Sequence, residues 1–264
     1  MKNIFLPAFF SLSLMAIPAK AQELITDRPD QTESSSTVPK KTLQWENGFS
    51  FESDAAEYRG EITHYRNLGL NHTLLRYGIL HKLELRLGAD LIRKTTETES
   101  SDGNPQKEFD LEPMRLGLKV QLTEKAGLIP ELAVLSHLVF PALSSLDEKN
   151  APMPDITLAG SINPNEWASL GFNFGFRWPD FGFDQTHLFY SFVIGLSHGQ
   201  KLGSFWEVYG YKDYYYAVDD FRADAGITYL LKPNFQLDLS GGLGITEVSP
   251  DYFISFGFSW RIPE

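Results

Sequence analysis

Leu83-Glu84-Leu85-Arg86-Leu87-Gly88-Ala89-Asp90-Leu91 places apolar side chains at every odd position and charged or minimal ones at every even position. Period two marks a strand with two unlike faces, because successive Cβ atoms leave a pleated backbone on opposite sides. The pattern returns along the chain. Met114, Leu116, Leu118, Val120 and Leu122 oppose Arg115, Gly117, Lys119 and Gln121. Leu170, Phe172, Phe174, Phe176 and Trp178 oppose Gly171, Asn173, Gly175 and Arg177. Phe221, Ala223, Ala225, Ile227 and Tyr229 oppose Arg222, Asp224, Gly226 and Thr228, and Leu237 and Leu239 flank Asp238.

A soluble sandwich also alternates, so other features must separate the cases. The alternating runs reach about nine to eleven residues, the length of a tilted membrane-crossing strand, whereas soluble strands average about five or six. Their non-apolar face carries Gly, Ser and charge, as a wet lumen does. Trp45, Trp167, Trp178, Trp206 and Trp260 fall near expected strand ends, where indole rings favour the membrane–water interface. The reading is an all-β, antiparallel, up-and-down transmembrane barrel of about twelve strands.

The expected strands cover residues 42–52, 67–79, 83–93, 112–122, 130–140, 155–163, 168–178, 187–198, 204–212, 219–231, 235–245 and 251–262. The links 53–66, 94–111, 141–154, 179–186 and 213–220 are long and polar, and those between are short. Outer-membrane barrels show this asymmetry, with long loops outside and short turns in the periplasm.

Residues 1–21 read as a signal peptide. Lys2 precedes an apolar stretch from Ile4 to Ile17, and Ala19-Lys20-Ala21 supplies the small-x-small cleavage pattern. That stretch is too short to span a bilayer comfortably and is interrupted by Pro7 and Pro18. The expected location is the outer membrane of a Gram-negative bacterium, with residues 22–41 as a polar periplasmic segment and residues 42–264 as the barrel. A net charge of −11 argues against nucleic acid as a partner, since phosphate binding needs a basic footprint. The chain has no cysteine, which excludes disulfides and thiol chemistry. The expected partners are outer-membrane lipid, the barrel assembly machinery and a small-molecule solute.

Residues 22–41 are too polar to pack a core. Composition alone fits a disordered tail; the charges Asp27, Arg28, Asp30 and Glu33 fit a plug or constriction that enters the barrel from the periplasmic side.

Thr26-Asp27-Arg28-Pro29-Asp30-Gln31-Thr32-Glu33-Ser34, with Thr37-Val38-Pro39 and Gln44-Trp45-Glu46-Asn47-Gly48-Phe49 after it, resembles the opening of a bacterial outer-membrane "transporter" family labelled MetA-pathway of phenol degradation. Residues 71–78, 83–88 and 250–260 resemble its later blocks. The resemblance implies an outer-membrane barrel and transport. Such barrels usually end in an aromatic residue used in assembly; here Trp260 or Ile262 would stand in for it.

The sequence carries no nucleophile elbow, no P-loop and no zinc motif, and no cofactor or metal is expected. His137 is the one place to look for a barrel-embedded hydrolase. The inward charges Arg76, Glu84, Arg86, Asp90, Arg115, Lys119, Arg177, Arg222, Asp224 and Asp238 are the candidate solute path; a salt-bridge lattice that stiffens the wall is the alternative for each. The expected function is passive passage of a small molecule, aromatic by the family label or anionic by the lumen charge, and not an enzymatic one. The rival is a plugged structural or interaction barrel working through external residues 95–110 and 211–220.

Overall fold

The structure is a computed structural model and describes residues 24–99, 104–125, 129–140, 152–177, 186–213 and 218–262. The expected signal peptide, Trp178 and parts of the expected external loops lie outside these residues. The strands are β1 (Leu43–Tyr58), β2 (Glu61–Leu80), β3 (Leu83–Thr98), β4 (Gln106–Leu111), β5 (Arg115–Thr123), β6 (Glu131–Val139), β7 (Met153–Ile162), β8 (Ala168–Arg177), β9 (His187–His198), β10 (Leu202–Asp213), β11 (Val218–Lys232), β12 (Phe235–Gly244) and β13 (Tyr252–Ile262).

Each strand pairs antiparallel with its neighbours, and β1 pairs with β13 from Leu43↔Ile262 to Ser53↔Tyr252, which closes the sheet. β4 and β5 both pair with β3, at successive levels, and so form one interrupted stave. The thirteen strands therefore make a closed barrel of twelve staves. Pro113 lies at the interruption, where its missing N–H cannot join the ladder.

Burial runs opposite to that of a soluble protein. Leu87, Leu118, Phe174 and Ile227 point outward and are 37%, 45%, 41% and 48% exposed. Arg76, Glu84, Arg86 and Lys119 point inward and are buried. A hydrocarbon solvent accepts the first set, and the second must find partners inside. At the rim of short turns, Trp45 faces Trp260 in register, with Trp167 just before β8 and Trp206 near the start of β10. This is an interfacial aromatic girdle.

The first three staves depart from expectation. Residues 53–66 are not a loop: β1 and β2 continue to a tight turn at Arg59 and Gly60, with φ of 54° and 83°. β3 likewise runs on to Thr98, and β4 occupies part of the expected loop 94–111. Beyond the membrane neither face of a strand needs apolar residues. The alternation fades there, as in Ser53-Asp54-Ala55-Ala56-Glu57, while the hydrogen-bonded ladder continues.

Candidate functional site

Residues 24–40 enter the lumen and then turn into β1. Lys41, with φ of 65°, makes the turn and donates its N–H to the Gly78 carbonyl at 2.7 Å. Upstream, the segment bonds to inward groups around most of the wall.

Asp27 meets three cations. Its Oδ2 lies 2.6 Å from Arg86 Nη1, 3.1 Å from Lys119 Nζ and 3.2 Å from Arg76 Nη1. β2, β3 and β5 bring these bases together because Arg76 pairs with Arg86 in register, and Lys119 with Glu84. Three such charges would repel one another alone. Glu84 accepts from Arg76 Nε at 2.8 Å and from Arg86 Nη1 at 2.9 Å, and Glu46 accepts from Arg76 Nη1 at 2.9 Å. With Glu33, which pairs with Arg86, four carboxylates face the three cations, and Asp27 touches all three of them. Burial alone would raise the Asp27 carboxyl. The field of Arg76, Lys119 and Arg86, with a hydrogen bond from Ser34, instead holds it well below the ordinary aspartate range.

Arg28 points to the wall beyond β1, at β12 and β13. Its Nη2 donates to Asp238 Oδ1 at 2.8 Å and to Ser255 Oγ at 3.1 Å. A Cβ added at Gly48 or Gly257 would overlap this guanidinium, so two glycines on the seam strands β1 and β13 form its bed.

Further contacts complete the circuit. Gln31 N–H donates to Glu207 at 2.7 Å, and the Thr32 hydroxyl bonds Ser191 at 2.7 Å and also Glu207. Glu33 N–H donates to Asn173 at 2.7 Å, and the Glu33 carboxylate pairs with Arg86. Ser35 bonds Ser161, Ser36 bonds Glu131, and Val38 N–H donates to Glu84. Asp30 sits differently, its carboxyl pushed well above the ordinary range by burial and by the carboxylates of Glu207 and Asp224. Glu207 and Asp224 face one another across the β10–β11 ladder.

The remaining expected residues sit outside this cluster. Asp90 bonds Arg115 at 2.8 Å and His72 at 3.2 Å. Arg222 pairs with Asp220 at 2.6 Å and Glu52 at 3.2 Å. Arg177 is 3.9 Å from Asp155. His137 does not form a hydrolytic pair: Nδ1 bonds Asp155 at 2.8 Å, and Nε2 accepts from Arg86 Nε at 3.2 Å. Its neighbour Ser136 lies on the outer face. Among the described residues no cluster of three or more His, Asp or Glu is placed to hold a metal ion.

Gln44, Glu46, Asn173, Ser191 and Glu207 were not singled out from sequence, although each lies at inward parity on its strand. Parity marks such positions as lumen-facing; it does not say which of them the segment will meet.

On the long-loop side of the segment lie two adjoining spaces, of about 420 Å³ and 370 Å³, which share Gln31, Glu33, Leu74, Arg115 and Tyr211 as lining. The lumen is therefore hollow above the segment and densely bonded at its level.

A closed sheet with apolar side chains outside, charge inside and an indole belt at one rim defines a transmembrane β-barrel of the outer-membrane type. Residues 26–262 match the model of the family described as "Putative MetA-pathway of phenol degradation", and the chain belongs to that family. Among solved structures it resembles an outer membrane channel from Pseudomonas putida F1, at 12% identity, 86% of this chain, 98% of that chain and a TM-score of 0.67. It also resembles the translocator domain of the autotransporter NalP from Neisseria meningitidis, at 10% identity, 85% and 90% coverage and a TM-score of 0.54. A third likeness is to the NanC porin, at 8% identity, 83% and 98% coverage and a TM-score of 0.51. At these identities the likeness is one of fold. No curated protein sequence matches the chain.

Proposed function

We propose that the chain is exported by a signal peptide cleaved after Ala21 and acts in the outer membrane as a passive channel for a small molecule. In this reading, residues 24–38 form a constriction at the periplasmic side of the lumen. One observation carries it: a hollow, charge-lined space on the outer side ends on a segment bonded to staves on every side. Family membership and the channel-like fold support passage over catalysis.

The test is single-channel conductance in planar bilayers, with full-length mature protein and a variant lacking residues 22–36. Higher conductance in a deletion variant that still shows heat-modifiable mobility is the expected result. Equal, negligible conductance of both would support the rival reading, a closed barrel that works through its outer surface. The exposed Tyr58 and Phe109 on the extended early strands are that reading's best support.

A further inference from the structure

We infer that the larger outer space is a binding site for a small aromatic carboxylate, such as benzoate. This rests on the channel reading for its role but not for its chemistry.

The aromatic half lies on β9 and β10. Phe189 and Tyr211 are register partners whose rings sit 5.2 Å apart at 34°, both lining the space. Tyr209 meets Tyr211 edge-on at 6.2 Å and props it from below. Leu74 and Leu135 add apolar surface from β2 and β6. Aromatic side chains pointing into a barrel lumen gain nothing from lipid. They offer a flat face on which another ring stacks or packs edge-on.

The anionic half comes from Arg115 and Arg177. Both line the same space, and their side chains are 42% and 44% exposed, against 1% for Arg76 and Arg86. Arg115 holds Asp90 through Nη2 at 2.8 Å. Arg177 stands 3.9 Å from Asp155, beyond hydrogen-bond reach. A guanidinium carries five N–H donors in a fork that matches a carboxylate. Each of these arginines keeps donors for a ligand.

The acids that border the space do not invite a cation in the same way. Glu33 is engaged by Arg86, Asp155 by His137, Asp213 by His187 and Asp220 by Arg222. The groups with spare capacity are thus cationic donors and aromatic faces. An anion without a ring uses half of the site, and so does a ring without a charge.

The test is calorimetric titration of purified full-length barrel in detergent at pH 7 with benzoate, acetate and benzyl alcohol. Benzoate binding at least tenfold tighter than either of the others is expected. Phe189→Ala and Arg177→Gln should each weaken benzoate at least tenfold, with acetate insensitive to the first and benzyl alcohol to the second. Benzoate no tighter than acetate, or no tighter than benzyl alcohol, overturns the proposal, and this ladder of probes decides the matter even where a variant fails to fold. Benzoate binding by a barrel that conducts nothing would sink the channel reading and leave the site; conduction without benzoate preference would do the reverse.

Discussion

The carboxylate of Asp27 and the guanidinium of Arg86 meet at 2.6 Å inside the barrel, 59 positions apart in the chain. This contact ties a segment with no regular structure of its own to the wall, in surroundings that exclude most water. A buried pair of this kind is weak evidence of net stability, but breaking one side of it is costly.

Asp27→Asn should therefore remove a carboxylate that touches all three cations and cost about 3–5 kcal/mol of seating energy. The barrel should still form, because its ladders do not depend on residue 27. Limited proteolysis of the folded barrel should then cut the variant within residues 24–38 and spare the parent. Equal resistance of both would show that Asp27 does not hold the segment.

The two aspartates give seating opposite pH dependences. Asp27 is depressed in place, so its contribution is present above the ordinary aspartate value near 3.8 and is lost as pH falls through the lower seated value. Asp30 is raised in place, so its contribution is present below about 3.8 and is lost as pH rises through the higher seated value. Asp30→Asn should remove the second loss and make the segment harder to release at neutral and alkaline pH. Proteolysis or conductance followed from pH 5 to 9 checks this. A variant whose profile matched the parent's would mean that the Glu207 and Asp224 carboxylates do not oppose Asp30.

Arg28 rests on bare backbone, which makes Gly48 a position where one methyl should matter. In Gly48→Ala the new Cβ overlaps the guanidinium, which supplies its three nearest atoms, and should push Arg28 off Asp238. Asp238→Asn should do the same by removing the charge. Both variants should raise conductance with heat-modifiable mobility retained, and the double variant should add little to either single one. Fully additive effects would separate the two residues.

The lipid face is testable by depth. Leu118→Arg or Ile227→Arg should cost about 2–4 kcal/mol, the penalty for a cation near the midplane of a barrel wall. On the lumen face the atoms nearest a Cβ at Gly88 belong to the Arg115 side chain, from 3.1 Å, whereas one at Gly175 meets Thr157 Oγ1 at 2.5 Å and a backbone carbonyl at 3.2 Å. Gly88→Ala should thus be mild and Gly175→Ala worse. Urea unfolding in lipid vesicles gives all four values, and similar costs for Leu118→Arg and Gly88→Ala would undo the facing assignment.

Much of the fold could be read from particular residues. The odd–even split around Arg86 and Leu87 places one in the lumen and the other in lipid, since only a strand between water and hydrocarbon needs that contrast at every step. The same rule fails in β1 to β3 above the membrane, where Ala55 and Glu57 face water on both sides and leave no period to detect. The site was legible only as a list of charges. Of the inward cations, Arg76, Arg86 and Lys119 meet the segment's acids, while Arg115 turns to Asp90. Of the inward acids, Asp238 is the one that takes Arg28. Partner choice depends on register between staves far apart in the chain, and a single sequence holds no direct trace of it. The seat of Arg28 shows this well: Gly48 and Gly257 look like ordinary small lumen residues until the closed seam sets them side by side.

That seam has a consequence for manufacture. β1 and β13 are the two ends of the strand order and close the sheet, and strand pairs can slip by two residues without changing which face is wet. Such a slip would carry Ser255 and Asp238, on the paired strands β13 and β12, together about 7 Å along the wall relative to β1. The leading segment is already fastened to the β1–β2 hairpin through Lys41 and Gly78. On the proposed reading, Arg28 therefore reaches both of its partners only in the observed seam register, and a shifted seam would leave the constriction unseated.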